Sequence, residues 1–338
     1  MLGTLVKCPN MKNNRPNRRY LAFHVSAALM VAGFILFPTI ARATPTAELA
    51  SKEVAVPFEP PVGANLTYHS QKIVEKDGVK HTLKTVEIYR FEEDGDGYRL
   101  VVTPKSIEDD DESPMMKAIT AAAGDLMMRP YAFRVSEDGE LGEMIDQDSY
   151  WNAMFDALAK TKYTASDGKP LDPKHKPILD KFVSSMRGMP AEARTALMAE
   201  GSQPVLTFAG TAIAIGSMVK SKVEVPSPFG GRIARDVTIK LDRVDGKYAF
   251  FKMTDTIPRA ELEVLVNAMF SKLDKEMAAK LAPKIAEMKQ FSSDITSEYA
   301  VSLSDGLLED YKSVETIVAV SEGKTNRRVT TKTLTRVR

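Results

Sequence analysis

Asp-Gly dipeptides set between strand-like runs constrain this chain more than any other feature, at 77–78, 94–97, 138–139, 245–246 and 305–306. Asp and Gly tolerate the positive φ values that tight hairpins need, and such hairpins force the flanking strands to pair antiparallel. In the first half the runs are Leu66–Val74, Lys80–Phe91 and Tyr98–Thr103, then Tyr131–Val135 and Leu141–Ile145 around Asp138-Gly139. In the second half they are Met218–Val225, Arg232–Leu241 and Tyr248–Thr254, then Tyr299–Leu303. Val314–Val320 and Arg327–Val337 read as a closing hairpin around Ser321–Lys324.

The order repeats. In each half strands and an Asp-Gly turn lead into a helix, opened by Ser113-Pro114 in one and by Thr256 with Pro258 in the other. A Ser or Thr cap with Pro in the first turn suits a helix start. The expected fold class is therefore α+β: large antiparallel sheet or sheets from two duplicated β-meander and helix units, with amphipathic helices covering one face. The expected divisions are 1–43 as signal peptide, 44–62 as a Pro-rich lead-in and 63–146 as the first unit. A helical insert at 147–203 and a second unit at 204–338 follow, the latter with a long helix over 258–290. Leu262, Leu265, Met269, Leu273, Met277 and Leu281 make one apolar stripe along that helix. Whether the units share one sheet or form two domains is open at this level.

Residues 1–43 hold six basic residues and no acidic one. Arg18-Arg19 runs into the uncharged Leu21–Phe37, and Ala41-Arg42-Ala43 follows as a small-x-small site. This is the layout of a cleaved secretory signal, and Met11 offers an alternative start. Export to the periplasm with cleavage after Ala43 is expected. The whole chain carries 46 Lys and Arg against 45 Asp and Glu, or +1. Without residues 1–43 the balance is 40 to 45, mildly acidic and cysteine-free, since Cys8 lies in the leader. That excludes a disulfide scaffold and a basic nucleic-acid binder. No later run is apolar enough to span a bilayer; Val205–Val219 comes nearest, interrupted by Gly210 and Gly216.

Chemistry-bearing motifs are sparse, and no cofactor or metal is expected. His69 and His81 fall in neighbouring runs, and ordinary strand polarity accounts for them better than a metal does. The acidic stretches Glu108–Glu112 and Glu92–Gly97 lack calcium-loop spacing. Ser217-Met218-Val219-Lys220 and Ser321-Glu322-Gly323-Lys324 match Ser-x-x-Lys, in which a lysine can activate a serine. No companion motif accompanies them, so a non-catalytic protein is favoured over a serine hydrolase using Ser217 and Lys220. Methionine is the more suggestive feature. Fourteen of 17 lie after residue 43, and flexible, polarisable side chains adapt to varied apolar ligands. Met116, Met127, Met269, Leu273 and Met277 are the candidate cavity residues, with core filling as the bland alternative. Met186-Arg187-Gly188-Met189 has a copper-like spacing, but it is a single instance.

The signal, the lead-in ending at Val62-Gly63, the strand–Asp-Gly–strand units and Ser227-Pro228-Phe229-Gly230-Gly231 together resemble exported, periplasmic proteins of Gram-negative bacteria with no assigned activity. The architecture is more loosely similar to periplasmic lipoprotein- and lipid-carrier half-barrels. That likeness implies a binding or envelope-maintenance protein holding an apolar, lipid-like ligand between sheet and helices. The expected partners are an apolar small molecule or an envelope protein, with an assembly scaffold as a further alternative.

Overall fold

A computed structural model describes residues 53–111, 124–160, 180, 183–184, 186–227, 231–271, 288–321 and 324–337. The leader, the helix expected after Ser113, and Met116, Leu273 and Met277 lie outside the described residues. Strands β1 (Glu53–Ala55) and β7 (Ala212–Ala214) pair with each other in a small ladder. The others form one antiparallel sheet of 11 strands, which answers the question of one sheet or two.

From the first half come β2 (Leu66–Lys76), β3 (Val79–Asp94), β4 (Gly97–Asp109), β5 (Tyr131–Val135) and β6 (Leu141–Met144). The second half supplies β8 (Met218–Pro226), β9 (Arg232–Asp245) and β10 (Tyr248–Thr256), then β11 (Met288–Ser302), β12 (Leu308–Ser321) and β13 (Lys324–Val337). The spatial order is β6-β5-β4-β3-β2-β13-β12-β11-β10-β9-β8. Each half is a meander, and the two meet in mid-sheet where β2 pairs with β13. The expected tight turn between β2 and β3 is present, with Asp77 at φ 52° and Gly78 at φ 79°. Pro104 sits in β4 at the bulge opposite Val86 and Glu87, beyond the last β4 residue that pairs with β5. A missing N–H costs least at such a place.

Four labelled helices are described: α1 (Gln147–Lys160), α2 (Ala191–Ala199), α3 (Gln203–Leu206) and α4 (Arg259–Ser271). The helix expected over 258–290 needs correction at its end. Met288 pairs with Ser321 and Gln290 with Val320, so 288–290 belong to β11. The ladder with β12 decides the matter, and the polar run around Ser292 and Ser293 hid the strand.

The sheet must curl. Phe208, just after α3, stacks on Phe251 of β10 with centroids 3.9 Å apart. Its neighbour Ala209 lies against Gly139 in the β5–β6 turn. In a flat sheet β5 and β10 would stand about 34 Å apart at ordinary strand spacing, yet consecutive Cα atoms are only about 3.8 Å apart. Helix α2 packs against both edge strands, β6 and β8, which do not pair with each other. The result is an almost closed barrel with a helix where the missing stave would be.

One end of this barrel is sealed by the chain itself. Val56 N–H donates to Thr211 (2.8 Å), Glu59 N–H to Asp305 (3.1 Å) and Gly63 N–H to Phe91 (2.8 Å). Phe58 meets Phe91 and Tyr98 edge-on at 5.9 and 5.3 Å. Gly306 holds φ +75°, and a Cβ there would collide with the Pro57 carbonyl. The interior beside this end is fully packed: Tyr68, Tyr89, Phe91, Leu100, Val102 and Phe133 have no exposed surface. At the other end lie the β2–β3, β8–β9 and β12–β13 turns and the start of α4. A separate helical core forms from Trp151, Phe155, Met186, Met189 and Ala193, with the Trp151 indole donating to the Met186 carbonyl (3.1 Å).

Candidate ligand site on the concave face

Strand register identifies the side chains that face into the barrel, because directly opposed residues share a face. Tyr68, Ser70, Lys72, Val74 and Lys76 of β2 stand opposite Arg336, Leu334, Lys332, Thr330 and Arg328 of β13. On β3, Glu87, Thr85, Leu83 and His81 continue the first four of these rows. On β12, Tyr311, Ser313, Glu315 and Ile317 stand opposite Leu334, Lys332, Thr330 and Arg328. Two neighbouring strands therefore send Lys72, Lys76, Arg328 and Lys332 to the concave face. Lys72 and Lys332 are directly opposed, an arrangement that like charges normally disfavour.

The compensating charge comes from the segment that threads the interior. Glu200, just past α2, has its carboxylate paired with the Lys332 ammonium, both side chains being at most 20% exposed. Burial alone would raise the Glu200 carboxyl, but Lys332 and then Lys72 outweigh it and hold it below its ordinary value. Burial pushes the Lys72 ammonium down; Glu200 opposes that shift, while Lys332 and Arg328 reinforce it. On β12, burial raises the Glu315 carboxyl against the pull of Lys332 and Arg328. Among the described residues Lys72 makes no ion pair within 4 Å, since the Glu200 carboxylate is engaged by Lys332.

Two other polar groups flank this strip. Glu87 accepts from the Tyr89 hydroxyl (2.9 Å) and faces that of Tyr131 (3.5 Å), and burial raises its carboxyl despite both. The Ser70 and Thr85 hydroxyls are hydrogen-bonded at 2.8 Å. Across the barrel, Arg235 and Asp255 form a fully buried ion pair at 2.8 Å. There burial raises the acid and lowers the base.

Toward the helix end the packing changes. Val74, Leu83, Thr85 and Ile107 face inward yet stay only half-buried, as does Lys72. An apolar surface thus adjoins a cationic strip inside one concavity. Such a surface can receive an apolar chain and an attached polar group.

The structure separates the residues singled out from sequence. Met127 lies half-buried on a helical turn at 124–127, and Met269 lies on α4 with its side chain outside the described residues. The Ser217 hydroxyl donates to the Ala214 carbonyl (2.6 Å) in the turn before β8, and Lys220 is exposed on that edge strand. His69 and His81 fall on opposite faces of the sheet, and no cluster of three metal-binding side chains occurs among the described residues. Met186 and Met189 are core to the helical cluster. Of the acidic stretches, Asp110 accepts from the Thr82 N–H at 2.5 Å and Glu92–Gly97 forms the β3–β4 hairpin. Sequence reasoning missed the cationic strip. Its signal was the period-two set Arg328, Thr330, Lys332, but alternation does not say which face of a strand is inside.

A second concavity, an open groove of about 1260 Å³, runs between the edges β6 and β8 along α2. Its walls carry Glu143, Asp148, Glu192, Glu224 and Arg232, and Arg232 is already paired with Glu192 (2.5 Å) and Glu224 (3.6 Å).

No family model and no curated protein matches the chain. Among solved structures it is similar to lipovitellin, described for its lipid–protein interactions, at 8% identity and a TM-score of 0.41. That match covers 86% of this chain but 26% of the other, so the chain spans about a quarter of the lipovitellin chain. An outer membrane channel from Pseudomonas putida F1 is similar at 7% identity and a TM-score of 0.15, covering 86% of this chain and 100% of that one. TM-scores this low define no shared fold. No helix among the described residues is long and apolar enough to cross a membrane.

Proposed function

We propose that this protein is an exported, periplasmic, non-catalytic binding protein that holds an apolar or amphipathic ligand on the helix-side half of its concave face. One observation carries the reading. Val74, Leu83 and Ile107 face inward and stay only half-buried, whereas inward residues at the sealed end are completely buried. Apolar surface that the chain leaves uncovered inside its own concavity gains from any apolar chain laid on it, at about 25 cal/mol per Å². The same half of the barrel is where the methionine-bearing helical segments depart, so a ligand would lie between sheet and helices. We also read the two halves as copies of one unit. Supporting this, β3–β4–β5 and β9–β10–β11 run in the same direction across the sheet, and Tyr98 and Tyr248 follow equivalent turns.

The test has two parts. Native mass spectrometry of protein purified from a periplasmic extract is expected to show a bound apolar mass, released by organic extraction, on a chain beginning at Thr44. Titration with a fluorescent fatty acid is expected to saturate, and Leu83→Lys is expected to weaken it about tenfold or more by placing a charge on the apolar wall. A ligand-free mass together with no saturable binding of the dye would refute the reading.

A further inference from the structure

We infer that the ligand is an amphiphile with an anionic head, carboxylate or phosphate, and that Lys72, Lys332 and Arg328 take that head at the position the Glu200 carboxylate now holds. The inference rests on the binding function proposed above and adds the ligand's chemical class.

Three features point to it. First, the cations are costly where they stand. Lys72 directly opposes Lys332 on adjacent strands, with Arg328 and Lys76 two pleat repeats further on beyond Val74 and Thr330, and all of them face inward. Like charges in this register repel, and removing an ammonium from water is expensive. Nothing in the fold of an antiparallel sheet requires lysine at either position; Leu or Thr would pair more favourably.

Second, part of the strip's countercharge is borrowed from outside the sheet. Among the described residues the carboxylates turned toward it include Glu200 and Glu315, with Glu87 further along β3 held by two tyrosine hydroxyls. Glu315 comes from the neighbouring strand β12, but Glu200 comes from the segment joining α2 to α3, not from the sheet. A side-chain carboxylate placed by a connecting segment against a lysine pair is a stand-in for a carboxylate of any other origin. An arriving anionic head is drawn to the same two ammonium groups, and Lys72 gives it a partner that Glu200 leaves outside ion-pair distance.

Third, the apolar wall continues directly from the cations. Leu83 is the cross-strand partner of Lys72, Val74 is two residues on, and Ile107 pairs with Thr85. A head on Lys72 and Lys332 therefore leads its chain across the neighbouring strands onto Leu83 and Ile107, with Val74 one row further toward the helix end. Beyond that row the sealed end stops the chain, because Tyr68, Tyr89 and Leu308 fill the interior there.

Competition titrations against a fluorescent fatty acid test this, using palmitate, hexadecanol, a lysophosphatidic acid and inorganic phosphate on the full exported chain. Palmitate or the lysophosphatidic acid is expected to bind about tenfold or more tighter than hexadecanol. Lys72→Met, which keeps length and removes charge, is expected to abolish that preference by weakening palmitate and the lysophosphatidic acid about tenfold or more. Lys72→Arg is expected to restore it, and Glu200→Gln to tighten the anions several-fold. The better of the two anions identifies the head as carboxylate or phosphate. Competition by millimolar inorganic phosphate alone would mean a free anion site and overturn the amphiphile. Equal binding of palmitate and hexadecanol, unmoved by Lys72→Met, would overturn the anionic head while leaving apolar binding intact. Failure of every amphiphile to bind would instead sink the function proposed above. Thermal unfolding of each variant separates lost binding from lost fold.

Discussion

The sealed end and the helix end of this barrel are made by the same strands, yet they solve opposite problems. At the sealed end the lead-in, the β11–β12 turn and the segment after α3 converge, and large rings fill the space: Phe208 on Phe251, Tyr299 edge-on to Phe208, Phe58 on Phe91 and Tyr98. At the helix end β2, β3 and β13 continue past that packing with Lys72, Val74, Leu83 and Arg328, none of them fully buried. Completely covered side chains contribute to stability in proportion to area removed from water, whereas half-covered ones do so weakly and remain open to a partner. The difference teaches that the two ends divide the work, one holding the fold and the other leaving side chains partly uncovered.

The comparison breaks first at Phe208. Phe208→Ala removes a 2% exposed ring from the centre of the sealed end and is expected to cost about 3–5 kcal/mol in denaturant unfolding. Leu83→Ala, the matched truncation at the helix end, is expected to cost less than about 1 kcal/mol, because a half-exposed side chain leaves little cavity. Equal losses in the two variants would erase the distinction between the ends. Gly306→Ala is expected to fall next, at about 1–3 kcal/mol, since it adds positive-φ strain to a collision with Pro57.

Glu200→Gln sharpens the boundary between the ends and is expected to cost about 1–3 kcal/mol at neutral pH. Lys332, Lys72 and Arg328 face this carboxyl, with Glu315 beside them. Its folded value lies below the ordinary 4.5, so its stabilisation is complete above pH 4.5 and lost as pH falls through the folded value. The gap in melting temperature between wild type and Glu200→Gln is thus expected to be constant at neutral pH and to close in acid. Glu315, raised by burial, has the opposite sign: the folded state gains as pH falls through its raised value. A gap that widens in acid would show that Glu200 is not the ion-paired group.

Local chemistry made much of this fold legible. Asp77-Gly78 and Asp245-Gly246 announced hairpins that β2–β3 and β9–β10 form, and Pro258 marked the start of α4. Long-range features were invisible for a physical reason. The β2–β13 seam joins residues from opposite ends of the described chain, and no local pattern encodes a partner that distant. The first three residues of β11 read as helix because no strand alternation marks them. The site was hidden by an ordinary assumption, that polar positions on a half-buried strand face water. In β2 and β13 the row containing lysine and arginine faces the interior instead, and only the register with β12 and the contact with Glu200 reveal it.

The mid-sheet seam also sets a schedule. A chain emerging from its N-terminal side completes β2 to β6 before β13 exists, so β2 waits with one backbone edge unpaired along 11 residues. An open edge of that length recruits other strands, and the wait lasts for all of β8 to β12. Inward-pointing charge is a recognised way to keep such an edge from pairing wrongly. Lys72 and Lys76, both inward-pointing on that edge, supply such charge while the second half of the chain is still being made.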